Sequence, residues 1–157
     1  MIKILFICHG NICRSPMAEF MLKDMVDKQG LADQFQIASA ATSREEIGNP
    51  VYPPAKKKLA QVGISSEGKR AVQVTEGDYD QYDYILLMDQ NNQRNLKRII
   101  QQDLAHKIHR LLDFSGNPRN IEDPWYTGDF EKTYQDILEG CQGFLDYLTE
   151  KGEISRR

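Results

Sequence analysis

Short apolar runs alternate along the chain with segments whose apolar side chains recur at helical spacing. Residues 2–7 are nearly all apolar or β-branched, and residues 84–88 form a second continuous apolar run; both patterns are typical of buried strands. The apolar residues at helical spacing after the first run are Met17, Phe20, Met21 and Met25. Gly30 is placed to end that helix. Strands that alternate with helices predict an α/β protein whose parallel sheet is covered on both faces.

The same alternation continues to the end of the chain. A short helix is predicted to end at Gly63, and Asp89 can cap a further helix. Residues 107–112 predict a last strand, and a longer helix surrounds Cys141. The apolar residues that mark these helices are Ala55, Leu59 and Val62 in the short one, Leu96, Ile99 and Ile100 after Asp89, and Tyr134, Ile137, Leu138, Leu145 and Leu148 around the cysteine.

Length and charge limit the classes of function. The chain has 157 residues and a net charge of −3, so we expect one domain, residues 1–157, without the basic surface that binds nucleic acid. No apolar run approaches the roughly 18 residues of a membrane span, and no signal-peptide pattern occurs, so a cytoplasmic location is expected. His106 and His109 have no cluster of partners for a metal, and no nucleotide-binding glycine motif occurs. We therefore expect no metal and no cofactor.

The most reactive set of residues follows the first strand directly. It reads Cys8-His9-Gly10-Asn11-Ile12-Cys13-Arg14-Ser15-Pro16. Ser15 and Pro16 predict a helix start, with Ser15 as the cap, so the segment joins a strand to a helix N-terminus, where open α/β sheets bind ligands. The free N–H groups of that helix end, together with Arg14, would bind an anion and favour the thiolate form of Cys8. This arrangement predicts nucleophilic attack on a phosphate ester.

The remaining loop residues suit a tight curl around a phosphoryl group. Gly10 permits close approach of the backbone, and Asn11 tolerates a left-handed conformation. Arg14 can hold two phosphoryl oxygens with its planar fork, and the Ser15 hydroxyl could stabilise the sulfur. A cysteine and an arginine at this spacing also occur by chance, and a free Cys is often only a small buried hydrophobic residue. The strand–loop–helix context favours catalysis over that alternative.

The segment resembles the signature of the low-molecular-weight protein tyrosine phosphatases, and the likeness covers nearly the whole chain. The other similar segments are Ser39-Ala40-Ala41-Thr42, Asp83-Tyr84-Ile85-Leu86-Leu87-Met88-Asp89 and Glu122-Asp123-Pro124-Trp125-Tyr126. The resemblance implies a doubly wound, four-stranded parallel sheet in a single domain, with a phosphate-binding loop from Cys8 to Ser15. It also implies phosphotyrosine hydrolysis through a cysteinyl-phosphate intermediate.

The resemblance assigns the general acid to Asp123. A phenolate leaving group needs a proton, and a positioned carboxylic acid typically contributes about 10²–10⁴-fold. Pro124 restricts Asp123 to extended backbone. On chemistry alone, Glu122 is a competing candidate, and an isolated Asp-Pro pair is more often only a turn.

The rim of the pocket also follows from the resemblance. Trp125 and Tyr126 would flank the aromatic leaving group, although a structural role for the single tryptophan is the alternative. The family more often has Tyr at position 125, so Trp125 would alter substrate preference. A further rim position, often aromatic in animal relatives, aligns near Glu45, and an acidic rim would disfavour acidic peptides.

Loop support is a further implication of the resemblance. Asn11 and Ser15 would brace the loop from inside, and Ser39 would hydrogen-bond towards Asn11. A strand-end serine bonded only to nearby backbone is the alternative for Ser39. Where the family has a supporting His, this chain has Lys69, or else one inserted residue shifts the register.

The chain's three cysteines have different predicted roles. Their odd number argues against a disulfide framework. A curled loop would bring Cys8 and Cys13 within bridging distance, so Cys13 is predicted to be a redox partner of the nucleophile, as in relatives. Cys141 is predicted to be a core residue.

We expect a phosphotyrosine phosphatase that acts as a monomer on phosphotyrosine proteins or peptides and binds inorganic phosphate or oxyanion inhibitors. Three alternatives remain. Arginine phosphatases resemble this chain but usually have Thr where Ile12 stands. Arsenate reduction needs a relay of further cysteines, and only Cys141 lies outside the loop. A silent phosphate-binding module is disfavoured by the presence of Cys8, Arg14 and Asp123.

Overall fold

A computed structural model describes residues 1–155, and within them four parallel strands form one sheet in the order β2-β1-β3-β4. The strands are β1 (Ile2–Cys8), β2 (Phe35–Ala41), β3 (Tyr84–Leu87) and β4 (Ile108–Arg110). The helices are α1 (Arg14–Lys28), α2 (Pro53–Gln61), α3 (Asp78–Gln81), α4 (Gln90–Leu96), α5 (Pro124–Thr127) and α6 (Phe130–Glu150), with 3₁₀ turns at Ala32–Gln34 and Leu111–Phe114. The predicted α/β, four-stranded, doubly wound fold is confirmed. Arg156 and Arg157, which the predicted domain 1–157 includes, lie outside the described residues.

Side chains of β1 alternate between two separate cores. Ile4, Phe6 and Cys8 pack in the larger core with α1, α2 and α6, whereas Leu5 and Ile7 face the smaller core with α4. A strand buried on both faces reads as a continuous apolar run, which is why the sequence pattern was informative here.

The carboxyl ends of the strands meet at one edge of the sheet. β1 pairs in parallel with β2 and β3, so that Cys8 lies beside Ala41 and Ile7 beside Leu87. The connections that leave this edge carry the predicted site residues. The register alone therefore brings together segments that are far apart in sequence.

Two helix boundaries differ from the prediction. α1 begins at Arg14 with Cys13 at the N-cap, and Ser15 makes no capping bond because its hydroxyl contacts Cys8 and Asn11. α4 ends at Leu96, so the predicted helix to Ile100 is too long. Its sequence is rich in asparagine, a weak helix former.

Among residues 1–155, no helix is both long and apolar enough to span a bilayer. The same residues contain no group of three or more His, Cys, Asp or Glu side chains placed to hold a metal ion.

Candidate active site

The loop after β1 curls around the sulfur of Cys8. The backbone N–H of Asn11 donates to Cys8 Sγ at 3.3 Å, and the Ser15 hydroxyl lies 3.0 Å from the same atom. Asn11 has a φ of +58°, a left-handed conformation that turns the chain back on itself and that Asn tolerates better than most residues. The fold thus aims both a main-chain donor and a hydroxyl at the buried sulfur.

The side chain of Asn11 holds this curl in place. Its Nδ2 donates to Ser15 Oγ at 2.7 Å and to Ser39 Oγ at 2.9 Å, while its Oδ1 accepts the N–H of Val72 at 3.1 Å. Ser39 lies within β2 and not at its end, so its contact with Asn11 joins the loop to the sheet. Both polar ends of a buried amide are therefore satisfied.

Lys69 and Glu19 extend this support beneath the loop. Lys69 Nζ donates to the backbone carbonyl of Ser39 at 3.0 Å, and Ser39 Oγ donates to Glu19 Oε1 at 2.6 Å. Burial lowers the pKa of Lys69, and the Glu19 carboxylate at 3.8 Å opposes that effect. Glu19 was not predicted from the sequence; an acidic side chain four residues after Ser15, on the first helix, was the available signal.

Arg14 is 2% exposed and is held by three acceptors from two segments. Its Nη1 donates to Asp89 Oδ2 at 2.5 Å and to the carbonyl of Ile121 at 2.8 Å, and its Nη2 lies 3.4 Å from Asp123 Oδ2. Burial opposes the charge of Arg14, but Cys8, Asp89 and Asp123 outweigh it and raise the arginine pKa. Asp89 was predicted only as a helix cap. It also caps α4 by accepting the N–H of Asn92, so the same carboxylate holds both Arg14 and the start of that helix.

Asp123 is the N-cap of α5. Its Oδ1 accepts the N–H of Trp125 at 3.0 Å, and its backbone is extended ahead of Pro124, with φ −77° and ψ 114°. Asp123 lines the same cavity as Cys8 and Arg14, whereas the exposed Glu122 lines a neighbouring one. The two adjacent carboxylates therefore occupy different environments.

A cavity of about 130 Å³ opens over the loop. Its rim includes Trp125 and Tyr126, which are 51% and 82% exposed, and Glu45, which pairs with His9 at 3.0 Å. Tyr52 packs against Trp125 with ring centroids 4.8 Å apart, and this contact holds the half-exposed tryptophan at the rim. The lining also includes His9, Gly10, Ile12 and Cys13 of the loop. Glu46 lines the cavity as well and was not predicted from the sequence.

The three cysteines are free thiols with distinct surroundings. Burial strongly raises the pKa of Cys13, and the nearby Cys8 and Asp123 add to this effect. Burial alone raises the pKa of Cys141 to about 12. Cys141 packs in the larger core, which confirms its predicted structural role.

Comparisons with known sequences identify a family. The sequence profile of the family described as low molecular weight phosphotyrosine protein phosphatase matches residues 3–154. A low molecular weight protein-tyrosine-phosphatase of Bacillus subtilis is 38% identical over 156 residues, which covers 98% of this chain and 100% of the relative. A low molecular weight phosphotyrosine protein phosphatase of Rattus norvegicus is 40% identical over 148 residues, covering 91% and 93% respectively.

Solved structures show the same architecture. The crystal structure of YfkJ from Bacillus subtilis is similar with a TM-score of 0.92, at 39% identity and with 96% of both chains covered. The crystal structure of a Drosophila arginine phosphatase is similar with a TM-score of 0.85, at 32% identity, covering 93% of this chain and 97% of that one.

Proposed function

This chain belongs to the low molecular weight phosphotyrosine protein phosphatase family and is a phosphotyrosine phosphatase, and we propose that it works through a cysteinyl-phosphate intermediate on Cys8. The observation that carries this mechanism is the convergence on one buried sulfur of the Asn11 N–H and the Ser15 hydroxyl, with Arg14 and Asp123 in the same cavity. Donors placed in advance around a reacting group stabilise developing charge without reorganisation.

In the first step, the Cys8 thiolate attacks phosphorus and a sulfur–phosphorus bond forms. The bond between phosphorus and the tyrosine oxygen breaks, and that oxygen takes the proton of Asp123 as it leaves. Arg14 and the loop N–H groups hold the other phosphoryl oxygens. Since Asp89 and the Ile121 carbonyl hold Nη1 of Arg14, its Nη2, 3.4 Å from Asp123, is the more available group for the phosphate.

In the second step, a water attacks phosphorus and the sulfur–phosphorus bond breaks. The Asp123 carboxylate accepts the proton of that water, and Cys8 leaves as a thiolate that the Asn11 N–H and the Ser15 hydroxyl stabilise. The product is inorganic phosphate. The same loop would bind oxyanion inhibitors that mimic it.

The burial of Cys141 and the intact site residues bear on two alternative functions. Arsenate reduction by a cysteine relay is disfavoured because Cys141 is fully enclosed by the core. A silent phosphate-binding module is disfavoured because Asp123 lines the cavity together with Cys8.

Phosphoarginine hydrolysis is the nearest alternative, because a structural neighbour is an arginine phosphatase. Ile12 lines the cavity, and its bulk favours a flat phenyl ring over a guanidinium. We expect the wild type to hydrolyse phosphotyrosine peptides faster than phosphoarginine or phosphoserine peptides in direct competition. Ile12→Thr should raise phosphoarginine hydrolysis relative to phosphotyrosine. A wild-type preference for phosphoarginine would contradict this account of substrate choice.

We propose one phosphatase domain over the whole chain, acting as a monomer in the cytoplasm on phosphotyrosine proteins, without a membrane or nucleic-acid partner. Free cysteines, including the nucleophile and its neighbour Cys13, support a reducing compartment. The net charge of −3 supports the absence of a nucleic-acid partner.

A further inference from the structure

A second cavity of about 410 Å³ adjoins the cavity over Cys8, which is called the phosphate pocket below. The two cavities share His9, Arg14, Asp123 and Tyr126 in their linings. A substrate whose phosphotyrosine enters the pocket therefore has this second space, which we name the side cleft, directly beside it.

The lining of the side cleft is rich in carboxamides. Asn91, Asn92 and Asn95 contribute from α4, and Asn120 from the segment before Asp123. Asn92 is 1% exposed; its Oδ1 accepts the N–H groups of Met88 and Asp89, but no described residue accepts a hydrogen bond from its Nδ2. Because this Nδ2 is itself shielded from solvent, the carboxamides open to a ligand are those of Asn91 and Asn120, which are exposed, and of Asn95, which is half-buried.

The charge of the side cleft is predominantly negative. Glu122 is exposed there, and Asp89 and Asp123 line it as well. Two cations near these carboxylates already have partners. The buried Arg14 is held by Asp89. Lys132 lies near Glu122 but donates to Asp136 at 2.9 Å. His9 is the remaining basic group in the lining. Glu122 is therefore the carboxylate best placed to meet a cation from outside.

We propose that the side cleft binds the residues next to phosphotyrosine in the substrate, and that it favours basic over acidic side chains there. This inference rests on the proposed phosphatase function. The peptide backbone presents alternating C=O and N–H groups, which carboxamides match as donors and acceptors. Glu122 would pair with a lysine or arginine beside the phosphotyrosine and repel an acidic residue.

The test uses acetylated pentapeptides with a central phosphotyrosine and either lysines or glutamates on both sides. p-Nitrophenyl phosphate, which has no peptide, serves as the reference substrate. Because an exposed ion pair contributes at most about 1 kcal/mol, we expect kcat/KM of the wild type to be about fivefold higher for the lysine peptide. Glu122→Gln should bring that ratio close to one. Asn95→Ala should raise KM for both peptides severalfold more than it raises KM for p-nitrophenyl phosphate.

Matched controls separate the side cleft from general charge and helix effects. Glu76→Gln removes the same charge from a surface outside the side cleft, and Gln93→Ala shortens an exposed side chain on the same helix, α4. Both should keep the wild-type ratios. A wild-type ratio of kcat/KM between the two peptides that is near one overturns the proposal. A ratio that is unchanged in Glu122→Gln also overturns it, because the preference then comes from another carboxylate such as Glu45. Loss of p-nitrophenyl phosphate hydrolysis in the wild type would instead refute the phosphatase mechanism itself.

Discussion

At the scale of single residues, Asp123 and Glu122 are neighbours in sequence, but only Asp123 lines the cavity over Cys8, whereas Glu122 lines only the side cleft. If Asp123 donates the proton to the leaving group, its loss matters most when that group is a poor one. We expect Asp123→Asn to slow hydrolysis of phosphotyrosine by about 10²-fold or more. The loss should be smaller for activated aryl phosphates, and the alkaline limb of the pH–rate profile should flatten.

Glu122→Gln is the matched control for the acid. It should keep the dependence on leaving group and the alkaline limb of the wild type. Steady-state kinetics on aryl phosphates of graded leaving-group acidity make the comparison. If the two variants behave the other way round, Glu122 is the acid.

Cys13 carries a second prediction at this scale. Burial raises its pKa, and the nearby Cys8 and Asp123 add to that rise, so at neutral pH Cys13 is a thiol and a slow resolving group. After peroxide converts Cys8 to a sulfenic acid, Cys13 must lose its proton to form the disulfide. Its thiolate fraction rises about tenfold for each pH unit below the raised pKa. The rate of disulfide formation should therefore increase steadily from about pH 7 to about pH 9.

Mass spectrometry at timed intervals after a peroxide pulse measures that rate. Cys13→Ser should stay active but recover poorly with thiol reductant, because Cys8 would be over-oxidised. A disulfide rate that does not change with pH, or full recovery of Cys13→Ser, would contradict the pairing.

At the scale of elements, α6 packs closely against the 3₁₀ turn Leu111–Phe114. A Cβ added at Gly143 would lie 2.2 Å from the carbonyl oxygen of Phe114, a backbone atom that cannot move freely. Overpacking of this kind costs typically 1–3 kcal/mol, and a contact with backbone that cannot move lies at the upper end of that range. This cost outweighs the roughly 1 kcal/mol by which alanine is favoured over glycine inside a helix. We expect Gly143→Ala to lower the free energy of unfolding by about 2 kcal/mol.

Urea unfolding compares this variant with Gly116→Ala. At Gly116 a Cβ meets no heavy atom within 4 Å, so that substitution should leave the midpoint almost unchanged. Equal midpoints for the two variants would show that the contact between α6 and the turn is not tight.

The elements also show how far sequence patterns reach. Buried strands such as β1 and β3 are continuous apolar runs and were predictable. The start of α1 was not, because Ser15 has both the side chain of a helix cap and that of a sulfur ligand, and tertiary contacts with Cys8 and Asn11 decide between them. The end of α4 was missed since Ile100 is apolar and buried although it lies beyond the helix.

At the scale of the whole molecule, the fold and the reactive loop could be predicted because their signals are local in sequence. Among the supports of the loop, Asn11, Ser15 and Ser39 were expected only from the family resemblance. The roles of Asp89 and Glu19 could not be predicted, since they depend on which elements become neighbours. Asp89 reaches Arg14 only because β3 lies beside β1, and Glu19 reaches Ser39 only because α1 packs on β2. The choice between Lys69 and a shifted register also needed the tertiary contact of Lys69 with Ser39.

The most direct test of the mechanism is whether phosphate becomes bonded to Cys8 during turnover. The enzyme is mixed with p-nitrophenyl phosphate, quenched within milliseconds under denaturing conditions, and digested for mass spectrometry. We predict one phosphoryl group on the peptide that contains Cys8, none in Cys8→Ser, and near-background turnover by that variant. Two results would contradict the covalent mechanism: absence of the phosphoryl group on Cys8, or turnover by Cys8→Ser within about tenfold of wild type. A tenfold difference in rate corresponds to only about 1.4 kcal/mol of activation barrier.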